Sequence, residues 1–421
     1  MSAHSSSTHC GIDFGTSNST AARMRGQHAE LMPLEDGKVT LPSVVFFNAE
    51  DERTRYGRAG LADYLAGYEG RLMRSLKSLL GSSLIDGQTE VNGRALRFRE
   101  LLQQFIGELK QRIDAHNGQP FERAVFGRPV FFVDDDPAAD RAAEDTLAAV
   151  ARDLGFREVS FQYEPIAAAY HYETTISKEE LVLVADIGGG TSDFSLIRLA
   201  PERTRQAERK DDVLANGGVH IGGTDFDRQL SLAGAMPLLG YRSALKNGRE
   251  MPSNIFFNLA TWHTINSAYT RQTLAEQKEL ALDAAEPEKT ARLITLLDKR
   301  AGHWLANEIE HVKIILSDQD EARLNLDPLE AGLAQTLSRA EFEAAGTPLM
   351  ERVAATVAAL LRDAGLAASD VDTVLFTGGS SGIPRLRAQI TALLPQARAV
   401  ECDPFGSIGA GLAVEAARRY R

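Results

Sequence analysis

Two short turns carry the residues of this chain best suited to chemistry. The first reads Asp13-Phe14-Gly15-Thr16-Ser17-Asn18; the second reads Asp186-Ile187-Gly188-Gly189-Gly190-Thr191-Ser192-Asp193. An aspartate at a strand end suits a magnesium ion, held through bound waters. Glycine lets the backbone approach a phosphate without a Cβ clash. Thr16, Ser17 and Asn18 supply donors to phosphate oxygens. For the first turn, a tight hairpin whose polar residues satisfy their own backbone is an equal alternative. The second turn argues harder. Three consecutive glycines cost conformational entropy and add no packing, and a ligand that needs bare backbone is the natural compensation. Asp193 is placed to orient a further water near the metal.

Other segments carry weaker signals. Gly222-Gly223-Thr224-Asp225-Phe226-Asp227 opens a helix whose N-terminus suits an anion, with helix capping by Thr224 or Asp225 as the alternative. Gly378-Gly379-Ser380-Ser381 follows the apolar run Val374-Leu375-Phe376 and precedes a helix. The carboxyl end of a buried central strand is where ligands bind in open α/β sheets; a plain strand–helix turn is the bland reading. Glu310, Lys313 and Ser317, at i, i+3 and i+7, share one helical face and suit a ribose and a base edge. A solvent-exposed Glu310–Lys313 ion pair is the simpler reading. Lys77 lies near the edge of an apolar face of Leu72, Leu76 and Leu79 or Leu80, where a surface lysine is ordinary. Glu164-Pro165 reads as a helix start. His220, His303 and His311 show no paired metal spacing.

The elements that must position these residues follow from periodicity. Runs 10–15, 19–24 and 41–47 are β-rich and broken by glycine. Helical periodicity is expected over 61–80 and 98–113. A strand over 123–133 and a helix over 138–156 complete a βα unit feeding a mixed sheet. A second strand–turn–strand occupies 181–199. The charged stretch 200–212 is expected to be a solvated loop. Residues 217–230 close a strand and open a helix, and 229–303 are expected to be mainly helical. A helix over 305–318, a polar stretch 321–328, a strand–turn–helix over 371–394 and a last helix over 407–420 follow. The likeness of the turns at Asp13 and Asp186 marks an internal repeat, two related halves each offering one phosphate turn.

Composition bounds the function. A chain of 421 residues is too long for one core. Its formal charge of -12 leaves no broad electrostatic footprint for nucleic acid or an anionic membrane. Backbone N–H groups still bind phosphates locally. Two cysteines, Cys10 and Cys402, make neither a disulfide framework nor a zinc site. The start is polar, unlike a signal peptide, and the apolar runs fall short of the roughly 20 residues that span a bilayer. A cytoplasmic protein is expected.

Together these motifs resemble the ATPase domain of the seventy-kilodalton heat-shock chaperone family, within the actin and sugar-kinase superfamily. The resemblance runs from Cys10 to the last helix. GIDFGTSNS is similar to the family's first phosphate motif and DIGGGTSDFS to its second. HIGGTDFD resembles the glycine pair that follows, EHVKIILS the nucleoside-binding helix, and FTGGSSGIPRL the adenosine motif. The resemblance implies an α/β, actin-like ATPase fold of two lobes, each a mixed sheet flanked by helices, with a nucleotide cleft between them. It implies a tail over 1–9, lobe I over 10–180 with a subdomain near 36–109, and lobe II over 181–402 with a helical subdomain near 229–303. The helix of 403–421 would pack back on the lobes. It implies ATP or ADP with magnesium as cofactors. Asp13, Asp186 and Asp193 would stand at the metal and its waters, with Gly15, Thr16, Ser17, Asn18, Gly188, Gly189 and Gly190 on the phosphates and Thr191 near the γ-phosphate. Lys77 would be the catalytic lysine, and Glu164 would order metal waters or link nucleotide state to lobe movement. Pro129 and Arg141 resemble the family's proline–arginine relay. Gly222 and Gly223 would bind the nucleotide as the glycine pair after the second phosphate motif, Glu310, Lys313 and Ser317 would contact ribose and adenine, and Gly378, Gly379, Ser380 and Asp403 would line the nucleoside pocket.

Three departures stand out. Where the family flanks adenine with two arginines, this chain has Ile314 and Gly382, so guanidinium stacking on the base is lost. The chain is expected to stop at the ATPase domain, with no leucine- and aspartate-rich linker and no β-rich peptide-binding domain after it. The stretch 200–212 is more basic than its surroundings. The function expected is a magnesium-dependent ATP hydrolase of the chaperone type, with a co-chaperone or client protein as partner. A small-molecule kinase of the same superfamily and a nucleotide-binding, actin-like scaffold are the competing readings.

Overall fold

The computed structural model describes residues 7–133, 136–206, 209–403 and 406–420. The first six residues of the expected tail, and residues 207–208 of the charged loop, lie outside them. Its contacts divide the chain into two units: Met1–Val219 with Thr356–Ser381 and Thr391–Arg421, and His220–Ala355 with Gly382–Ile390.

In the first unit the glycine-broken runs form a meander. β1 (His9–Asp13), β2 (Asn18–Arg25) and β3 (His28–Leu31) pair antiparallel, and β4 (Thr40–Pro42) joins the start of β2. β5 (Val44–Asn48), β6 (Thr54–Tyr56), α1 (Gly57–Leu65) and β7 (Gly70–Arg74) build a satellite layer; β8 (Gln88–Val91) and β9 (Arg94–Arg97) form a hairpin. Then come α2 (Phe98–Asn117), β10 (Arg123–Arg128), α3 (Pro137–Asp153), β11 (Glu158–Tyr163) and α4 (Glu164–Glu173). The sheet order is β11-β10-β1-β2-β3, with β10 parallel to both β1 and β11.

The pattern then repeats. β12 (Glu180–Ile187), β13 (Ser192–Leu199) and β14 (Val213–Val219) make a second antiparallel meander. The second unit begins with α5 (Gly223–Leu230), α6 (Asn254–Ala260), α7 (Arg271–Leu282), α8 (Pro287–Asp298) and α9 (Gly302–Asp318). The hairpin of β15 (Glu321–Asn325) and β16 (Ala334–Ser338) follows. Next are α10 (Arg339–Asp363), β17 (Thr373–Thr377), α11 (Pro384–Leu393), β18 (Arg398–Glu401) and α12 (Ser407–Arg419). The second sheet runs β18-β17-β12-β13-β14, with β17 parallel to both β12 and β18. In order and direction these five strands match β11-β10-β1-β2-β3, so the repeat seen at the two turns extends to the sheets, with β4 as an addition to the first. Among the described residues no helix is long and apolar enough to cross a membrane.

The last helix of each copy is exchanged. α4 buries Ile166, Ala169 and Tyr170 with Val182, Val184, Ile197 and Leu375 of the second sheet. α12 buries Leu412 and Ala416 with Val125 of the first sheet and Ala167 of α4. Glycines make the seat. A Cβ on Gly11 would meet Ala413 N at 2.3 Å, and one on Gly411 would meet the Ala167 carbonyl oxygen at 1.9 Å. The larger core lies beneath the first sheet, where Phe14 packs on Phe105 and Phe126 on Phe156, ring centroids 5.8 and 5.9 Å apart.

Four expectations are corrected. No helix spans 61–80: α1 ends at Leu65, Gly67 takes a φ of +88°, and 70–74 pair with β5, Leu72 opposite Phe46. A Cβ on Gly70 would sit 2.2 Å from the Phe47 carbonyl, so glycine permits that pairing. Leu72 is therefore on a strand, while Leu76 to Leu79 form a 3-10 turn. β10 stops at Arg128 because Pro129 has no N–H to continue the ladder. Residues 321–325 are a strand rather than an irregular polar stretch. The stretch 200–212 is not solvated throughout: it folds into 3-10 turns Pro201–Arg205 and Lys210–Asp212, and Arg209 is buried.

Candidate functional site

Both glycine- and hydroxyl-rich turns belong to the first unit and touch. The first closes between β1 and β2, the second between β12 and β13, where Asp186 pairs with Asp193 and the Gly188 N–H donates to the Thr191 carbonyl at 2.9 Å. A Cβ on Gly189 would lie 2.0 Å from Ser17 Oγ, so the glycine of one turn makes room for the hydroxyl of the other. Gly15 is similarly constrained, its missing Cβ facing the Asn18 carbonyl at 2.1 Å. Gly378, at φ +80°, brings the third turn onto the same strand end: a Cβ there would meet Asp186 Oδ1 and the Ile187 carbonyl, both at 2.5 Å.

Lys77 and Glu164, 87 residues apart, meet here. Lys77 Nζ donates to Glu164 Oε1 at 2.5 Å, with both side chains 11% exposed. The surface-lysine reading therefore fails, because the 3-10 turn aims the ammonium inward. Glu164 opens α4, and Gly127 of β10 leaves space beside it, a Cβ there falling 3.1 Å from Glu164 Cγ. Burial first, and then the charge of Glu164, pushes the Asp13 carboxyl up to about 7 against the pull of Lys77. Burial, then Asp193, Glu164 and Asp13, pushes Asp186 up to about 8. Burial works to lower the Lys77 ammonium, but Glu164, Asp13 and Asp186 outweigh it and hold it above its ordinary value. Thr191 Oγ1 donates to Asp193 Oδ2 at 2.8 Å. The result is a pocket of carboxylates with too little positive charge. Among the described residues no three His, Cys, Asp or Glu side chains are placed to hold a metal directly.

The remaining candidates fall in separate places. In the first unit Ser380 is buried, Ser381 Oγ donates to the Gly378 carbonyl at 2.7 Å, and Asp403 precedes α12, its carbonyl accepting the Ser407 N–H at 3.3 Å. Arg141 is exposed on α3. The arginine beside Pro129 is instead Arg128, which pairs with Asp140 at 2.7 Å and with Glu144. In the second unit the Gly222 N–H donates to Asp225 Oδ2 at 3.0 Å, so Asp225 supplies the helix cap allowed for above. Lys313 is buried and turns to Asp227, 2.8 Å from Oδ1, and to the Gly223 carbonyl at 3.2 Å. Asp227 is thus its partner in place of the expected Glu310. Glu310 and Ser317 are partly buried on the same helix, and Ile314 is exposed.

Two contributors escaped the sequence reading. Ser43 Oγ donates to the Gly15 carbonyl at 2.7 Å, and the Ser43 N–H donates to the Ser17 carbonyl at 2.9 Å, bracing the first turn. Gly127 opens the space for Glu164. Ser43 stands near no motif and Gly127 carries no signal of its own beside Pro129; only the strand pairing brings them in.

The family model described as Hsp70 protein matches residues 9–90, 81–233 and 284–418. The proteins called chaperone protein DnaK from two strains of Halobacterium salinarum are each 26% identical over 411 residues, 96% of this chain and 55% of their own length. The chain thus spans about half the length of the curated relatives it matches.

Proposed function

Because the chain belongs to the Hsp70 protein family, whose members are ATPases with an actin-like ATPase fold, we propose that it binds ATP with magnesium and hydrolyses it where the two turns meet. The observation that carries this reading is the buried Lys77–Glu164 pair beside Asp13 and Asp186.

The carboxylates suit a hydrated dication. Their crowding is relieved by positive charge, and a carboxylate at a strand end suits magnesium through bound waters. Asp13, Asp186 and Asp193 would hold magnesium in this way. When bound, magnesium neutralises charge on the β- and γ-phosphate oxygens. Backbone N–H groups of 15–18 and 188–190, with Thr16, Ser17 and Asn18, bind the phosphates, and Thr191 stands by the γ-phosphate. Lys77 donates to the charge that develops on the transferring phosphoryl group and to the attacking water. Glu164 keeps that ammonium charged and aimed.

For the nucleoside, the family pattern assigns Gly378, Gly379, Ser380 and Asp403 of the first unit. Lys313, its three donors directed to Asp227 and Gly223, acts as the brace of α9 on α5. With Ile314 and Gly382, the base is bound without arginine stacking. The relatives are chaperones by name, and a chaperone cycle with client or co-chaperone is the setting proposed for this ATPase.

The test is phosphate release from magnesium ATP by the purified chain without any acceptor. Lys77→Ala is expected to slow release about 10²–10³-fold, the usual loss for one transition-state donor, with ADP still bound. Turnover seen only after adding a sugar or similar alcohol would assign a kinase instead. Unchanged release from Lys77→Ala would remove the lysine from the mechanism.

A further inference from the structure

Among the described residues, six that are not glycine take a positive φ: Asp36, Glu52, Ser75, Asn92, Arg242 and Arg300. Five of them are exposed in loops. Ser75 is the exception. It is partly buried, at φ 55° and ψ 41°, between the end of β7 and the 3-10 turn Leu76–Leu79. A left-handed residue other than glycine costs free energy, least for Asn and Asp and most for a β-branched side chain. Such positions persist only where the surroundings hold them, and they gather at functional sites.

What holds Ser75 is the turn that follows it. Its carbonyl accepts the Ser78 N–H at 3.0 Å and the Ser78 hydroxyl at 2.6 Å. Leu76, the next residue, is fully buried in the larger core, against which Met73 of β7 also packs. Lys77, one residue further, reaches Glu164. Were β7 to run on, strand alternation would put Ser75 and Lys77 on the face of Met73 and turn Leu76 away from it. The left-handed step reverses that assignment. Leu76 enters the core, and the ammonium goes to the carboxylates.

We infer that Ser75 is a positioning residue, whose left-handed backbone sets Lys77 against Glu164 and so governs the rate at which that pair works. The backbone conformation carries this role and the hydroxyl does not. The inference rests on the ATPase reading for its effect on turnover, but not for the pose of the lysine.

Four variants of the full chain test it: Ser75→Gly, Ser75→Asn, Ser75→Ala and Ser75→Val. Each is read twice below its unfolding transition. The first readout is kcat and KM for phosphate release from magnesium ATP. The second is the rate at which acetic anhydride labels Lys77, followed by peptide mass spectrometry against the exposed Lys38. The kcat is expected to fall in the order Gly, Asn, Ala, Val, with Val at least about tenfold below the native chain and KM little changed. Labelling of Lys77 is expected to rise in the same order. Glu52→Val places the same β-branched penalty at an exposed left-handed residue; it is expected to lower the Tm and leave both readouts as in the native chain. If Ser75→Val does not fold, Asn against Ala still reads the order. A native chain that releases no phosphate would overturn the ATPase reading, and the labelling series would then decide the inference alone. Labelling of Lys77 equal across the series, equal losses from Gly and Val, or losses from Glu52→Val as large as those from Ser75→Val would each overturn the inference.

Discussion

Gly189 is the residue with least freedom at the candidate site. The position its Cβ would take lies 2.0 Å from Ser17 Oγ and 3.2 Å from Ser17 Cβ, so a side chain there must turn the Ser17 hydroxyl away or push the two turns apart. Gly190 meets only Thr16 Cγ2, at 4.0 Å, and Gly188 only the Thr191 carbonyl oxygen, at 3.6 Å. The three glycines that the sequence presents as equals therefore differ. Gly189→Ala is expected to lower stability by about 1–3 kcal/mol, the usual range for overpacking, and to weaken ADP binding measured by calorimetry. Ser17→Gly, made together with it, is expected to restore stability, because the clash disappears. Equal losses from Gly188→Ala and Gly189→Ala would show that contact between the turns is not the cause. Lys77 teaches the complementary lesson at this scale. Its neighbours look like a helix face, so the sequence offers a surface lysine, and only the resemblance singles it out. Its partner Glu164 lies 87 residues away, and no local pattern links them.

The charged stretch 200–212 shows how an element is anchored by buried ion pairs. Arg209 is 2% exposed, donates to both oxygens of Glu173 at 2.7 and 2.9 Å, and also pairs with Asp212. Glu173 ends α4 and also accepts the Ala200 N–H at 3.1 Å. The Arg209 and Arg418 guanidinium groups both lie over the Tyr170 ring, and Tyr170 donates to Glu415 of α12 at 2.6 Å. Removing one member of such a buried group leaves a charge in the interior, which costs about 3–5 kcal/mol, whereas removing both ends can be nearly neutral. Arg209→Met is therefore expected to lower the urea midpoint strongly, and Arg209→Met with Glu173→Leu to recover most of the loss. Additive losses would rule out the pair as the origin. None of this was legible in the sequence: a run rich in Arg, Lys, Glu and Asp reads as solvated unless the acceptors it will meet are known. The strands and long helices were legible because they carry their own periodicity, as in α2, α3 and α9. The region 61–80 failed because its apolar spacing satisfies a helix, while the glycines at 67 and 70 and the pairing with β5 favour a strand.

At the scale of the whole molecule, the likeness of the two turns recurs in the strand order of the two sheets. β1, β2, β3, β10 and β11 recur as β12, β13, β14, β17 and β18 with the same directions. The turns carry the legible likeness, because each apolar strand position accepts many residues of similar volume, while bare backbone beside an aspartate accepts few. The copies are tied by their exchanged last helices, and the tightest point of that tie is Gly411 on Ala167. The missing Cβ of Gly411 faces the carbonyl oxygen at 1.9 Å, the carbonyl carbon at 2.6 Å and Cα at 2.9 Å. These are backbone atoms, so no rotamer change relieves the clash and α4 must move off α12. Gly411→Ala is expected to destabilise the protein by about 1–3 kcal/mol, read as a lowered urea midpoint with an unchanged slope. Because α4 begins with Glu164, the same displacement is expected to disturb the Lys77–Glu164 pair, so ATP turnover measured well below the unfolding transition should fall as well. Gly382→Ala is the control: open space surrounds that Cβ position, and its effect on stability should stay within about 0.5 kcal/mol. A Gly411→Ala protein as stable as the control would mean that the helices separate without cost. One that is destabilised yet turns over ATP at the full rate would confine the seat of α12 to stability and detach it from the chemistry at Glu164.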